Sequence, residues 1–278
     1  MLGFKNLIVA SRLDLASTNI ARRILSLYEF RESQTMMCGE KVYEGLIENQ
    51  EVALAFVSKD VTDTQFLEDQ VKPGLLIFVS RHESQKGAPM LSTHVPGNLG
   101  GARHGGLPKK VSIAPARAMK AALKVLESER QAMGLPYRVS YEATHHGPSL
   151  DIPTLFIEIG STPKEWEDPK ACEAAALSVA AAIRTGVKGD SSMASLGIGG
   201  LHYNEKFTKI GLQEDLALGH MIPKYAIPDL DAEGLRQCID RTLETVKIAV
   251  LDWKGIPSEH RGWIREVLRE IGLDIRKV

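Results

Sequence analysis

The chain of 278 residues carries 34 lysines and arginines against 35 aspartates and glutamates, which gives a formal net charge of −1. Its 44% hydrophobic residues exclude a disordered chain, and its balanced charge excludes a uniformly basic nucleic-acid coat while allowing one basic face. Three cysteines without a CxxC pair, and no apolar run long enough for a signal peptide or a membrane span, predict a cytoplasmic protein without membrane contact.

Short runs of branched aliphatic residues, continuous rather than alternating, predict strands that are covered on both faces. In chain order these runs are residues 7–10, 52–57, 75–79, 91–95, 139–143, 154–159, 196–198 and 246–251. Apolar residues at three- and four-residue steps predict helices over 15–28, 115–133 and 163–184, with shorter ones over 204–218, 232–244 and 258–271. Alternation of strands with helices indicates a layered α/β core.

Two helix ends carry specific signals. Thr162 is the expected N-cap of the helix over 163–184, Pro163 suits its first position, and Glu165 completes a capping box. Gly186 is expected to end that helix.

Glycine and proline are concentrated in residues 81–111, which predicts a long irregular insertion of the kind that carries function. With no internal repeat and no clean linker, we expect residues 1–278 to form a single α/β domain with this inserted portion.

Most of the eight histidines fall beside predicted strands. His82 follows the strand over 75–79, His145 and His146 follow the strand over 139–143, and His202 follows the strand over 196–198. Polar residues at the carboxyl ends of strands converge when those strands are neighbours that run the same way. Of the adjacent pair at 145–146, one is expected to face the site and the other to be structural, because neighbouring strand residues point in opposite directions.

Imidazoles beside carboxylates, here those of Glu83, Glu142 and Glu158, suit Zn²⁺, which would lower the pKa of a bound water to about 7 and polarise a carbonyl. Without metal, a histidine oriented by a glutamate could act as a general base towards water. Both possibilities indicate hydrolysis. His220 and His260 are expected to be surface or helix-end residues.

A local basic cluster surrounds the start of the helix over 115–133. Arg117, Lys120 and Lys124 are spaced to share one helix face, which is either an ordinary solvated face or a contact for RNA phosphates. We treat Arg117 and Lys120 as candidate substrate-binding residues. Such a face would suit one end of an RNA and not DNA.

Several segments also resemble the archaeal and plant type of D-aminoacyl-tRNA deacylase, in the correct order along nearly the whole chain. They are residues 14–20 (DLASTNI), 80–84 (SRHES), 87–89 (GAP), 93–98 (THVPGN), 141–148 (YEATHHGP), 156–162 (FIEIGST), 165–166 (EW) and 197–203 (GIGGLHY). The resemblance implies hydrolysis of the ester of D-aminoacyl-tRNA, and of glycine mischarged on alanine tRNA. It further implies two zinc ions per subunit, a monomer, and a three-layer α/β/α core with a mixed, mostly parallel sheet of the phosphorylase or peptidyl-tRNA-hydrolase type.

The residues and the resemblance together suggest one mechanism, in which an activated water attacks the ester carbonyl. The expected catalytic residues are His82, Glu83, Glu142, His146 and His202. The expected metal ligands are His82, His145, His146, His202 and Glu142. Arg81, His94, Asn98 and Thr144, with Arg117 and Lys120, are expected to bind the substrate. Backbone N–H groups near 97–101 or 197–200 could stabilise the oxyanion.

Three alternatives remain open from the sequence. A peptidyl-tRNA hydrolase or a nucleoside-phosphorylase-like enzyme would share the implied fold, and phosphorolysis would require inorganic phosphate. A non-catalytic tRNA-binding protein would show salt-sensitive affinity without ester cleavage. A metal-dependent amidohydrolase of small molecules would make the basic helix irrelevant, and fold alone does not choose among these.

Overall fold

In the computed structural model, which describes residues 1–83, 87–188 and 191–278, the strands form two sheets. Ser84 of the motif at 80–84 lies outside the described residues. The first sheet contains β1 (Asn6–Ser11), β2 (Phe30–Met37), β3 (Glu40–Ile47), β4 (Gln50–Val57), β5 (Leu75–Glu83), β6 (Met90–His94), β7 (Arg138–Tyr141) and β8 (Thr154–Ser161). The second sheet contains β9 (Met193–Ile198), β10 (Leu216–Ile222), β11 (Ile248–Leu251) and β12 (Asp274–Lys277).

Helices connect most of these strands. They are α1 (Leu15–Leu27), α2 (Leu67–Gln70), α3 (Ala116–Ala132), α4 (Pro163–Trp166), α5 (Pro169–Lys188), α6 (Glu205–Gln213), α7 (Ala232–Asp240) and α8 (Arg261–Ile271). Short 3₁₀ turns occur at Val61–Asp63, Lys224–Asp229, Trp253–Gly255 and Ser258–His260. No helix in the described part of the chain is both long enough and apolar enough to cross a membrane.

The first sheet has the strand order β2-β3-β4-β1-β5-β8-β6-β7. Its centre is parallel, because β1 pairs in parallel with β4 and β5, and β5 pairs in parallel with β8. The strand β6 runs antiparallel to β8 and parallel to β7. Ile8 and Ala10 pack with α1, α3 and α5 on one face, while Leu7 and Val9 pack in a second cluster on the other. This explains the continuous apolar runs at 7–10 in β1 and 75–79 in β5.

The second sheet is parallel throughout, in the order β10-β9-β11-β12. Residues of α7 and α8, including Leu235 and Ile264, join its strands in one cluster. The other cluster unites Met119 of α3 and Phe207 of α6 with β10 and with Tyr141 of the first sheet. The two sheets are therefore joined through a shared apolar layer rather than by a linker.

All eight predicted strands form, and the described chain has the predicted mixed, mostly parallel α/β class. The predictions missed β2 and β3, a largely solvent-facing antiparallel hairpin whose sequence is rich in polar residues. The helix predicted over 204–218 was too long: α6 ends at Gln213, and the apolar run Leu216–Ile222 is β10.

The helix predicted over 163–184 is divided by a break at Asp168. The capping box of Thr162 and Glu165 is confirmed at the start of α4, and α5 begins anew at Pro169, a residue that cannot donate to the preceding turn. The predicted end at Gly186 is wrong, because α5 runs to Lys188.

The Gly- and Pro-rich region at 81–111 is less irregular than expected. Its first residues complete β5, β6 crosses its middle, and the irregular part begins after His94. Gly97 donates its N–H to the carbonyls of both His145 (3.1 Å) and His146 (2.6 Å), which holds this loop against the segment after β7. The description of the chain as one domain with an insertion stays a prediction.

Candidate active site

Five histidines and two glutamates from both sheets meet in one cluster, which we call the histidine cluster: His82, His94, Glu142, His145, His146, Glu158 and His202. His82 lies in β5, His94 ends β6 and Glu158 lies in β8. Glu142, His145 and His146 follow β7, and His202 follows β9. The cluster, apart from the buried His94 and Glu142, lines a cavity of about 1040 Å³.

The histidines do not come together in the expected way, through neighbouring strands that run in the same direction. The strands β5 and β7 are not neighbours, and β9 belongs to the second sheet. The condition of parallel neighbours is therefore not met. The groups meet because the second sheet packs beside β7: Ala143 donates its N–H to the carbonyl of His202 (2.9 Å), and Thr144 donates to that of Met221 (2.9 Å).

Glu142 is the hub of the histidine cluster. It is fully buried, and its Oε2 lies 2.9 Å from Nε2 of His202 and 3.7 Å from Nε2 of His145. Its Oε1 lies 3.4 Å from Nδ1 of His82 and has no hydrogen-bond partner among the described residues. A buried carboxylate oxygen without a partner is costly and calls for an explanation such as a bound ion or water.

Glu158 is a second buried carboxylate a short distance away. Its Oε1 accepts a hydrogen bond from Ser80 Oγ (2.7 Å) and lies 3.6 Å from Nε2 of His94, and its Oε2 lies 3.6 Å from Nδ1 of His82. His82 thus stands between both carboxylates, while its Nε2 shares a hydrogen bond of 2.6 Å with the hydroxyl of Tyr203.

Both members of the His145–His146 pair face the cluster, contrary to the expectation that one would turn away. His146 has a φ of +40°, in the left-handed region, so the alternation of an extended strand is interrupted. The two rings are 4.2 Å apart, and His94 lies 4.3 Å from His145 and 4.8 Å from His146 between centroids.

Backbone carbonyls fix the orientation of these two rings. Nδ1 of His145 lies 2.7 Å from the carbonyl of Ala143, and Nδ1 of His146 lies 2.7 Å from that of Gly147. A carbonyl can only accept, so each Nδ1 carries the proton and each Nε2 presents a lone pair. His94 is completely buried, and neither of its ring nitrogens has a hydrogen-bond partner among the described residues.

The electrostatics divide the imidazoles into two kinds. Burial, together with the neighbouring imidazoles, holds the pKa of His145 well below its usual range and lowers that of His146 to about 4. Burial alone would lower the pKa of His82, but its contact with Glu158 and the charge of Glu142 raise that pKa to about 9. Burial would raise the pKa of Glu142, but the hydrogen bond from His202 and the charge of His82 lower it to about 2.

Three sets of ligand atoms in the described residues lie close enough to hold a metal ion, each within 4.8 Å of one another. They are His94 with His145 and His146, Glu142 with His145 and His202, and His82 with Glu142 and Glu158. Neutral imidazole and carboxylate form the donor set that Zn²⁺ prefers, and the fixed Nε2 lone pairs and the unpartnered oxygen of Glu142 suit such a ligand. The residues present therefore fit zinc.

Other predicted site residues lie at the cavity without joining the cluster. Glu83 lines its mouth with a side chain that is 73% exposed, 3.8 Å from Arg81. Asn98 is buried and donates to the carbonyls of Gly105 (2.9 Å) and Leu107 (3.2 Å), so it shapes the loop. Thr144 also supports structure, because its Oγ1 lies 3.1 Å from Nδ1 of His220.

The basic helix face is not what the spacing indicated. Lys120 is 1% exposed, and its ammonium donates to Ser192 Oγ (2.8 Å) and to the carbonyl of Glu214 (2.5 Å). Arg117 donates Nε to the carbonyl of Ser192 (3.0 Å). The interpretation of Lys120 as a phosphate contact is wrong, because its side chain is buried between α3 and the second sheet.

The expected oxyanion donors are largely engaged. The N–H of Gly97 is bonded as described above, and that of Asn98 donates to the carbonyl of Lys110 (2.9 Å). In the second glycine-rich segment, Gly199 donates to Ile222 (2.8 Å) and Gly200 to Gly255 (3.1 Å). These four N–H groups are therefore not available to a substrate.

Two tyrosines complete the site beyond the sequence predictions. Tyr203 contacts His82, and the hydroxyl of Tyr225 lies 3.0 Å from Nδ1 of His202. Glu158, which the sequence indicated as a carboxylate beside the histidines, sits in the buried strand β8. Tyr225 follows β10, which was not predicted as a strand and whose first residues fell in the helix predicted over 204–218, so nothing in its position pointed to the site.

The remaining histidines separate by burial. His104 is exposed and lines the cavity mouth. His220 was expected at the surface but is completely buried in β10, where its Nε2 faces the carbonyls of Ser112 (3.1 Å) and Arg241 (3.3 Å). His260 lies beside Trp263, which donates its indole N–H to His260 Nδ1 (3.1 Å).

Comparisons with known proteins agree with the motifs along the whole chain. A family model described as D-aminoacyl-tRNA deacylase matches residues 69–276. The D-aminoacyl-tRNA deacylase of Thermococcus kodakarensis is 40% identical over 275 residues, covering 96% of this chain and 97% of the relative. That of Pyrococcus furiosus is 36% identical over 277 residues, covering 97% and 98%. The crystal structure of a conserved protein of unknown function aligns with a TM-score of 0.89 at 27% identity, over 100% of this chain and 96% of that one.

Proposed function

The chain belongs to the D-aminoacyl-tRNA deacylase family and hydrolyses D-aminoacyl-tRNA, and we propose that it does so at the histidine cluster. The observation that carries this proposal is the convergence of Glu142 with imidazoles of fixed orientation beside a cavity of about 1040 Å³. A cavity of this size encloses an aminoacyl group and its attached nucleoside rather than an RNA helix. We therefore propose that only the 3′ end of the substrate enters the site.

We propose that the cluster binds zinc, with up to two ions. His94, His145 and His146 would hold the first ion, since the last two carry their protons on Nδ1 and present Nε2. Glu142 belongs to both of the other ligand sets, so it would be the carboxylate of a second ion, with His202 or with His82. Bound zinc would supply a water of lowered pKa and polarise the ester carbonyl.

The other residues of the cluster would orient the reacting groups. Glu142 holds His202 by Nε2, and Tyr225 holds the same ring by Nδ1, so His202 has a defined direction at the cavity wall. Its side chain is 26% exposed, so a water that replaces the Tyr225 hydroxyl at Nδ1 could give its proton to that nitrogen when His202 is not a zinc ligand. Tyr203 and Glu158 fix His82 from opposite sides, and we propose that His82 stabilises negative charge on the attacked ester.

We propose that Arg81 and Glu83, at the mouth of the cavity, contact the terminal nucleotide or the amino group of the substrate. The part of the cavity wall formed by residues 97–101 would favour the D configuration at the α-carbon by sterically excluding the L configuration. A pocket that works by exclusion also admits glycine, which has no side chain, so we propose activity on glycine mischarged to alanine tRNA.

The family relationship disfavours peptidyl-tRNA hydrolysis, phosphorolysis and a purely binding role. One chain supplies every residue of the histidine cluster, which supports our proposal of a monomer. We propose the cytoplasm as its place of action, because charged tRNA is its substrate.

The test measures metal content and D-tyrosyl-tRNA hydrolysis together, in the purified protein and after chelation. We expect bound zinc, loss of activity on chelation and recovery on addition of zinc. His146→Ala is expected to lower both metal content and rate, whereas His260→Gln, outside the cluster, retains the metal. Full activity in a metal-free preparation would contradict the zinc proposal and leave His202 as a general base.

A further inference from the structure

A group of cations surrounds one tryptophan next to the cavity. The ammonium of Lys277 lies 3.7 Å from the ring centroid of Trp253, and the guanidinium carbons of Arg261 and Arg265 lie at 4.9 Å and 6.0 Å. Lys254, the next residue in the turn, is exposed. We call Trp253, Lys254, Arg261, Arg265 and Lys277 the Trp253 patch.

The positive charge of the Trp253 patch is not neutralised by ion pairs. Among the described residues, none of its four cations pairs with a carboxylate, whereas nearby Lys206 is paired with Asp252 at 2.6 Å. Only two exposed carboxylates among residues 253–266, those of Glu259 and Glu266, stand against the four cations of the patch, so its local net charge is positive. An aromatic face attracts cations without cancelling their charge. Such a concentration of unpaired cations is suited to a polyanion.

The Trp253 patch adjoins the loop that carries His202. The carbonyl of Gly255 accepts the N–H of Gly200 at 3.1 Å, two residues before His202. Two exposed apolar side chains lie near this loop: Leu201 (75% exposed) directly precedes His202, and Tyr225 (58% exposed) lines the cavity. The patch and the cavity are therefore linked through the hydrogen bond between the turn at 253–255 and the loop at 199–202.

We infer that the Trp253 patch binds the phosphate backbone of the tRNA acceptor stem while the aminoacylated end occupies the cavity; this inference rests on the proposed function. The cavity is too small for a stem, so the stem has to lie on a surface next to the mouth. The face of α3 does not offer Lys120, which is buried. The patch supplies lysine and arginine, which bind phosphates and release counterions.

The experiment compares two triple variants that lose the same charge. Lys254→Gln/Arg265→Gln/Lys277→Gln alters the patch. Lys5→Gln/Arg31→Gln/Lys72→Gln alters exposed residues in β2 and at the amino ends of β1 and β5, away from the cavity. Steady-state hydrolysis of D-tyrosyl-tRNA and binding of the same uncharged tRNA are measured from about 50 to 200 mM salt, with melting curves to confirm folding.

We expect the patch variant to raise KM about tenfold or more with kcat changed by less than about twofold, because phosphate contacts act on binding. Its salt dependence should also be weaker, by a slope of about one for each lost contact. The control variant should match the parent.

Unchanged KM and tRNA affinity in the patch variant, or equal losses in both variants, would overturn the inference. Retained tRNA affinity would then indicate that the patch serves an acidic protein or another anion. If the parent fails to cleave D-tyrosyl-tRNA, the proposed function fails separately. The affinity for uncharged tRNA still decides the role of the patch in that case.

Discussion

At the scale of single residues, the site depends on a buried carboxylate that contacts several imidazoles instead of forming a single ion pair. Glu142 contacts three imidazoles, and one of its oxygens has no hydrogen-bond partner among the described residues. Removal of that charge would leave Nε2 of His202 without its acceptor and His82 with Glu158 as its one neighbouring carboxylate in the cluster. The exposed Glu83, also expected at the site, has Arg81 as its near neighbour and is hydrated.

We therefore expect Glu142→Gln to lower kcat/KM for D-tyrosyl-tRNA by about a hundredfold or more and to reduce bound zinc. The amide keeps the volume and removes the charge. The matched change Glu83→Gln should cost less than about tenfold, because its side chain is exposed and screened. Equal losses in the two variants would show that burial of Glu142 is not what makes it important.

His220 provides a residue-scale prediction about stability. Burial lowers its pKa to about 4, from an ordinary value near 6.5 in the unfolded chain. Between these values the unfolded chain binds a proton that the folded chain does not. The free energy of unfolding therefore has its full value, as far as His220 is concerned, above pH 6.5, and it decreases as the pH falls towards 4.

Urea unfolding of the chelated protein should show this loss, which amounts to about 3 kcal/mol for the whole interval. His220→Gln, which retains a donor for the carbonyls of Ser112 and Arg241, should have a shallower decline between pH 6.5 and 4. Parallel pH profiles for parent and variant would be inconsistent with a neutral, buried His220.

At the scale of elements, His145, His146 and His202 of the histidine cluster lie on loops, and close packing holds the loop of His202 in position. Gly200 has a φ of +80°, and a Cβ there would lie 2.0 Å from Asn204 Nδ2 and 2.6 Å from Asp252 Oδ2. Asn204 is the N-cap of α6, accepting from Lys206 and Phe207. The loop with His202 is thus held between the start of α6 and the turn after β11.

Gly200→Ala should therefore destabilise the protein by about 1–3 kcal/mol and reduce kcat by displacing His202. Gly262→Ala is the matched control, because it lies in α8 with open space around it and an ordinary φ. Alanine in a helix is favoured over glycine, so the control should be neutral or slightly stabilising. Thermal melting and hydrolysis assays check both changes.

The elements that the sequence predicted well are those whose burial follows from local pattern. Central strands such as β1 and β5 are continuous apolar runs, and α1 has one apolar stripe. The hairpin of β2 and β3 was missed because its residues face solvent and resemble a loop in composition. The strand β10 was missed because its apolar run follows an amphipathic helix without a break signal.

The sequence predicted which residues form the site better than it predicted how they are arranged. The histidines were found because each stands beside a strand, but the left-handed φ of His146 and the packing of the second sheet determine how they meet. Lys120 shows the opposite error: helical spacing placed it with Lys124, and tertiary packing against Ser192 buried it. Neither outcome is encoded in local pattern.

At the scale of the whole molecule, the histidine cluster joins the two sheets. His82, His94 and Glu158 belong to the first sheet, and His202 belongs to the loop after β9 in the second. A metal held by residues from both sheets would bind the folded chain and not the unfolded one. Such binding stabilises the native state by an amount set by the ligand concentration and affinity.

Zinc in hundredfold excess over its dissociation constant should add about 2.7 kcal/mol to the stability of the chelated protein. For a chain of this length that corresponds to a rise in Tm of about 5 °C. Scanning calorimetry should show a single unfolding transition whose Tm rises on addition of zinc, because the ion would be bound by residues of both sheets. Glu142→Gln should show a smaller rise, and magnesium, which prefers oxygen ligands, should give little. If two transitions appear and only one of them responds to zinc, the cluster is not shared by both sheets. If the Tm is the same with and without zinc, the proposed metal site is wrong.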